Sequence, residues 1–160
     1  IITCTTRPPR KGEIDGQDYY FLNFKDFQEK IKQGEMAEYV KEYNNHYYGV
    51  TKKELERVKN LKDKIGIWKI EYKGVLKAKE MFGDIIAILI HAPLKEIETR
   101  IRRRNDLSEQ QIQDRMNYTK EWLNYSHIYD YQIDNRDGNL NNSIKEVKNI
   151  IKRNSNLDKE

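Results

Sequence analysis

Residues 85–90 read Ile-Ile-Ala-Ile-Leu-Ile, six apolar side chains in a row within a chain that is 35% charged. The run is too short to cross a bilayer, and its lack of polar alternation predicts a strand covered on both faces. Outward from it, helix and strand signals alternate. Downstream, Leu94–Arg104 has helical spacing, and Ser108 with Gln111 three residues later opens a second helix that turns Ile112, Met116, Thr119 and Leu123 inward. Tyr131–Ile133 reads as a short strand and Asn141–Arg153 as an amphipathic helix on Ile144, Val147 and Ile151, before a polar tail over 154–160. Upstream, Ile65–Ile70 reads as a strand and Gly74–Phe82 as a short helix. Thr51 with Glu54 forms a capping box for a helix carrying Leu55, Val58 and Leu61. Asn23 caps a helix with Phe24, Phe27 and Ile31 on one face, ended by Gly34. Gly16–Leu22 is a short aromatic strand after the Asp15-Gly16 turn, and Glu35–Gly49 a set of short strands and turns. This order predicts an α/β fold with a mainly parallel sheet and helices on it, in one domain over 1–153, with the tyrosine-rich stretch of about 12–50 as an inserted lobe.

Composition bounds the chemistry. At 160 residues the chain is long enough to bury a core, and its 11 Tyr and 2 Trp argue against disorder. The single Cys4 excludes an internal disulfide framework and a multi-cysteine zinc site, and fits a reducing, cytoplasmic setting. No basic-then-apolar segment resembles a signal peptide. Thirty Lys and Arg against 26 Asp and Glu leave a net charge of +4, mostly as interspersed charge, so charge alone leaves nucleic acid open as a partner. His46, His91 and His127 have no metal-ligand spacing.

The concentrated chemistry lies in Cys4-Thr5-Thr6-Arg7-Pro8-Pro9-Arg10. Two arginines three residues apart, stiffened by two prolines and flanked by hydroxyls, can aim two planar forks at one anion. Asp18-Tyr19-Tyr20-Phe21 and Tyr47-Tyr48-Gly49 offer phenolic donors to the same anion. A second basic cluster, Arg100, Arg104 and Arg115, puts its first two members on one helix face. By spacing alone, each cluster also suits a solvated face.

The ordered strings TTRPPRKGEIDGQDYYF, GEMAEY and YYG resemble the guanylate kinase signature, and the resemblance runs to about Ile151. It implies a P-loop-kinase-like parallel core with a small mixed-strand GMP lobe, and a helical lid with the helix that follows it over about 94–127. It further implies that Arg7, Arg10, Tyr19 and Tyr48 hold the GMP phosphate, and that Glu38 accepts from N1 and the exocyclic amine of guanine. Thr3 and Glu71 would complete the GMP site. Arg100, Arg104 and Arg115 would be lid arginines that neutralise charge on the transferred phosphoryl group, and Asn135 would lie near the adenine of ATP. ATP would be the co-substrate, with Mg²⁺ for which the resemblance assigns no ligand in this chain; no nucleic acid or membrane partner is implied.

Four departures qualify the match. No G-x-x-x-x-G-K-[ST] occurs in these 160 residues, so the family's opening strand, P-loop and helix are not among them, and the 160 residues by themselves are expected to be inactive. Lys69 stands at the first acidic position of the family's D/E-h-D-x-Q-G stretch, with Glu71 at the second. Val50 stands where the family has a hydroxyl after Tyr-Gly, with Thr51 one residue later. Glu38 and Tyr48 are separated by one residue more than usual, which leaves Glu35 or Glu42 as alternatives facing the base. The expected activity is phosphoryl transfer from ATP to GMP. The alternative is a non-catalytic guanylate-kinase-like module that binds phosphorylated or acidic peptides, and a basic RNA-binding domain is the more distant one.

Overall fold

The computed structural model describes residues 1–42, 44–103 and 107–155, and the chain gathers into two units, Ile1–Met81 and Phe82–Glu160. The first unit is built on strands β1 (Cys4–Thr5) and β2 (Tyr20–Phe21), helix α1 (Phe24–Lys32), strands β3 (Met36–Lys41) and β4 (Tyr47–Thr51), and helices α2 (Lys52–Lys59) and α3 (Tyr72–Met81). The strands lie in the order β2-β1-β4-β3, with β1 parallel to β2 and both β1 and β3 antiparallel to β4. The tyrosine-rich lobe is therefore a mixed sheet.

Register gives this sheet two chemically different faces. Tyr48 lies opposite both Thr5 and Val40, and Val50 lies opposite Glu38, so these five side chains share a face. The neighbouring positions Cys4 and Tyr47 turn the other way and join Met36 around Phe27 of α1, which is wholly buried. Asn23 caps α1 by accepting from the Asp26 amide, and Gly34 leaves the helix at φ 66°, a left-handed conformation that glycine adopts freely. Phe24, expected beside Phe27, is exposed and meets Tyr47 only edge-on. Burial pushes the Cys4 thiol up to about 11, which makes it inert at neutral pH.

Two expectations for this unit are corrected. Thr51 caps α2 by accepting from the Glu54 amide, but the reciprocal half of the box is diverted: the Glu54 carboxylate accepts from the Ile2 amide at 2.8 Å and pairs with Arg57. Ile65–Ile70 forms no strand. No described strand pairs with it, Ile65 and Ile67 are exposed, and the Ile1 nitrogen donates to the Ile67 carbonyl at 2.9 Å. A strand exists only through its ladder, which a local apolar run cannot supply.

The second unit runs β5 (Ile88–His91), α4 (Leu94–Arg103), α5 (Glu109–Asn124), a short 3₁₀ turn, β6 (Tyr131–Asp134) and α6 (Leu140–Asn154), with β5 parallel to β6. Ser108 and Gln111 form both halves of a capping box, and Ile112 and Met116 pack on Ile101. The apolar run around β5 is covered on one face only: Ala87 and Leu89 are buried while Ile86 and Ile90 are exposed. The period of two sends alternate residues to opposite faces, and β6 is the only described strand beside it. On α6 the inward line is Ser143, Val147 and Ile150, with Ile144 exposed. Ser143 sets that rotation, its hydroxyl lying 3.1 Å from the Asp134 carbonyl and 3.3 Å from Asn135 Oδ1.

Gly49 marks the tightest approach in the first unit. A Cβ there would lie 2.5 Å from the Glu38 carbonyl oxygen and 2.8 Å from the Tyr39 Cβ, both inside any real contact distance. Gly49→Ala is expected to destabilise the protein by about 2 kcal/mol or more, the scale of overpacking against backbone that cannot yield, measured by urea denaturation. An unchanged midpoint would show that β3 and β4 are less closely seated.

Candidate functional site

The segment leaving β1 folds back on one carboxylate. Glu13 takes two parallel hydrogen bonds from the Arg7 guanidinium, both 2.9 Å, and a third from the Arg10 amide at 2.6 Å. Asp15 and Asp18 are engaged by backbone, accepting from the Phe21 and Ile14 amides. Arg7 is only 8% exposed and lies against the rings of Tyr19 and Phe21, with its central carbon 5.3 and 5.6 Å from their centroids. Burial is the strongest single influence and opposes its charge, but the hydrogen bonds and the charge of Glu13, with Tyr48 nearby, together raise its pKa. The Arg7 bond in turn holds Glu13 below the ordinary carboxylate range. Glu13 was given no role from sequence, although it stands within the TTRPPRKGEIDGQDYYF string that carries the family resemblance.

Around this pair, the predicted anion ligands converge. Tyr19 and Tyr48 meet edge to face at 6.4 Å, Arg10 is exposed with no ion pair among the described residues, and Lys69 Nζ lies 4.9 Å from the centre of the Tyr19 ring. Tyr48 lies edge-on to the Tyr19 ring that Arg7 approaches. An anion arriving here meets donors already oriented.

On the same sheet face stands Glu38, buried, with no hydrogen-bond partner for its carboxylate among the described residues. Its pKa is raised to about 7, first by burial and then by the nearby Glu42, with Lys77 of α3 pulling the other way. Val50, opposite it, is fully buried, so the position expected to carry a hydroxyl gives Glu38 an apolar wall instead. Thr51 is taken up as the cap of α2. The extra residue before Tyr48 falls in the turn after β3, where the Glu42 amide donates to the His46 carbonyl and Asn45 adopts φ 63°. Glu38 thus stays in register on β3. Glu42 is also buried, and both its carboxylate oxygens lack a partner among the described residues. Thr3 is buried just before β1, and Glu71, half-buried, lies just before α3 with its carbonyl accepting from the Val75 amide. Glu35 is exposed and pairs with Lys30.

The second unit brings Arg100 and Asn135 together. Arg100 donates to the Asn135 carbonyl at 2.8 Å and pairs with Asp137 at 2.7 Å and Glu96 at 3.4 Å. Arg115 is half-buried on α5, its carbonyl accepting from Thr119 at 2.9 Å. Arg104 lies outside the described residues. Among the described residues no three His, Cys, Asp or Glu side chains gather as metal ligands.

Comparison with known proteins follows this geometry. The family described as "Guanylate kinase" matches residues 1–154. A guanylate kinase of Mycoplasma mobile is 36% identical over 94% of this chain and 77% of its own length, and one of Clostridium tetani is 32% identical over 94% and 71%. The crystal structure of a guanylate kinase from Anaplasma phagocytophilum superposes with a TM-score of 0.75 at 26% identity, covering 98% of this chain and 76% of its own.

Burial of Glu38 has a measurable sign. The folded state keeps a proton that the unfolded chain loses near the ordinary value of 4.5, so stability falls as pH rises from there to about 7 and levels off above it. The loss approaches about 3 kcal/mol. Glu38→Gln is expected to remove that slope and to be more stable than the parent at pH 8, as read by denaturation at several pH values without ligand. Parallel pH profiles for parent and variant would refute the burial of an ionising group at this position.

Proposed function

This chain belongs to the guanylate kinase family, whose reaction passes the γ-phosphoryl group of ATP to GMP, and we propose that its tyrosine-rich lobe is the GMP site. Arg7, Arg10, Tyr19 and Tyr48 hold the phosphate, with the Arg7 fork set in place by Glu13. Glu38 accepts two parallel hydrogen bonds from the N1–H and amine of guanine. Thr3 and Glu71 complete the site around the base. Support comes from the register of the sheet: Tyr48 and Glu38 are diagonal neighbours on one face, roughly 7–8 Å apart at the backbone. A phosphate subsite and a base subsite therefore stand side by side, and a single nucleotide can span them.

The single observation that carries the reading is Glu38, a buried residue whose carboxylate has a raised pKa and no hydrogen-bond partner among the described residues. Such a group destabilises the empty protein, and a ligand presenting two donors removes that cost. Guanine presents two adjacent donors; adenine presents a donor beside an acceptor and leaves one carboxylate oxygen facing a lone pair. Arg100, Arg104 and Arg115 are assigned to charge on the transferring phosphoryl group, and Asn135 to the adenine of ATP. Release of Arg100 from Asp137 and Glu96 would free its fork for phosphate. Mg²⁺ enters with ATP as part of that substrate. Chemistry of this class depends on positioning and charge neutralisation rather than on a protein nucleophile. No described helix is long and apolar enough to cross a membrane, and a cytoplasmic role in purine nucleotide metabolism follows from the substrates.

Glu38→Gln is expected to weaken GMP binding by about 2 kcal/mol, the scale of a lost charge-assisted contact, and to narrow the preference for GMP over AMP. Arg10→Ala should weaken both nucleotides alike, since the phosphate is common to them. Calorimetric titration of both nucleotides decides it: an unchanged GMP/AMP ratio in Glu38→Gln, with collapse in Glu42→Gln, would move base recognition to Glu42.

A further inference from the structure

Lys69 reverses the charge expected at its position, and the fold explains what the ammonium does there. Its Nζ lies 4.9 Å from the centre of the Tyr19 ring, the same ring that Arg7 approaches at 5.3 Å. Two cations therefore flank one aromatic group. The charge of Arg7 is matched by Glu13, whereas Lys69 has no carboxylate partner among the described residues, and Arg10 has none either. Asp15 and Asp18, the remaining acids of the loop, are engaged by backbone amides. A cation–π contact orients an ammonium but leaves its charge intact. Arg7, Lys69 and the Tyr19 and Tyr48 rings therefore meet at one place, and of the two cations Lys69 is the one with no carboxylate bonded to it among the described residues. Its ammonium is thus held beside the two phenols with all three N–H donors left for an anion, and a phosphate monoester is close to a dianion at neutral pH.

We propose that Lys69 is a phosphate-binding residue of the acceptor nucleotide: carried over the Tyr19 ring, its ammonium takes one phosphate oxygen beside Arg10 and the two phenols. This rests on the reading of the lobe as the GMP site. Lysine suits the task differently from the fixed fork of Arg7, because its three donors rotate on a flexible stem and can follow the phosphate as the donor phosphoryl group approaches. Partial neutralisation of the acceptor also lowers its repulsion for the negative γ-phosphoryl group.

The test uses the full protein with Lys69→Met, which keeps the stem on the Tyr19 ring, and Lys69→Arg, which keeps the charge. GMP affinity is measured by calorimetry at low and high salt, and the phosphate of bound GMP is titrated by phosphorus NMR. Lys69→Met should weaken GMP roughly tenfold, the scale of one charged hydrogen bond, flatten the salt dependence and raise the pH at which bound phosphate takes up its proton. Lys69→Arg should restore most of the affinity. If Lys69→Met binds GMP as the parent does, or loses affinity with no change in salt dependence or phosphate titration, Lys69 only props Tyr19 and the proposal fails. Loss of GMP binding in Arg10→Ala together with an unaffected Lys69→Met would leave the GMP site standing and remove Lys69 alone. A parent protein that binds no GMP would remove both.

Discussion

The closeness of β3 to β4 at Gly49 is the constraint on which the rest of the first unit depends. With no Cβ at that position, the Glu38 carbonyl and the Tyr39 Cβ occupy space that any other residue would claim. That seating fixes the register, and the register sorts the tyrosine pair: Tyr47 goes to the core around Phe27 and Tyr48 to the face it shares with Glu38. A slip of one residue would exchange the two and move Glu38 into the apolar layer with Cys4 and Met36. Gly49 therefore acts on chemistry it never touches, by deciding which side of a short sheet each functional group occupies.

The two halves of the proposed site are prepared in opposite ways. In the phosphate half the backbone and Arg7 are ordered before a ligand comes: Glu13 bonds Arg7 twice and the Arg10 amide once, so one carboxylate sets the path of the whole 7–13 segment. Ordering those groups in advance lowers the entropy lost when an anion binds. The base half is left unsatisfied, with Glu38 buried against Val50 and near a second buried carboxylate, Glu42. Strain of this kind is local instability retained where a ligand relieves it. Arg100, by contrast, is held by Asp137, Glu96 and the Asn135 carbonyl, so any role toward an anion requires exchange of partners.

What the sequence disclosed follows from the range of each signal. Helix starts were legible because a cap is a contact between residues three apart: Asn23 and Ser108 perform as their spacing predicts. Arg7, Tyr19 and Tyr48 could be grouped in advance through the family resemblance, and the sheet does bring them together. The failures all involve partners distant in sequence. Glu54 left its box for the Ile2 amide, Ile65–Ile70 had no ladder to join, and Ile144 lost its inward place to Ser143, whose hydroxyl found the end of β6. Glu13 escaped notice for the same reason, since an acidic residue in a basic loop reads as solubility until its bonds are seen. Val50 was read as a departure, yet its burial opposite Glu38 makes it part of what tunes that carboxylate.

That tuning bears on how the proposed site tells one purine from another. An ionised Glu38 presents two acceptors, which match the paired donors of guanine. A protonated Glu38 presents one donor and one acceptor, which match the amine and ring nitrogen of adenine instead. With its pKa near 7 in the empty site, the two forms stand close in free energy, so the discrimination is set by whatever favours the charge. Burial and Glu42 oppose the charge, and Lys77 of α3 favours it. The donors of guanine favour it further, so guanine binding and ionisation reinforce each other, while adenine must draw on the protonated form. Specificity on this reading is a property of the carboxylate's surroundings as much as of the carboxylate. Lys77 of α3, itself paired with Glu80, offsets part of what burial and Glu42 do to that carboxylate.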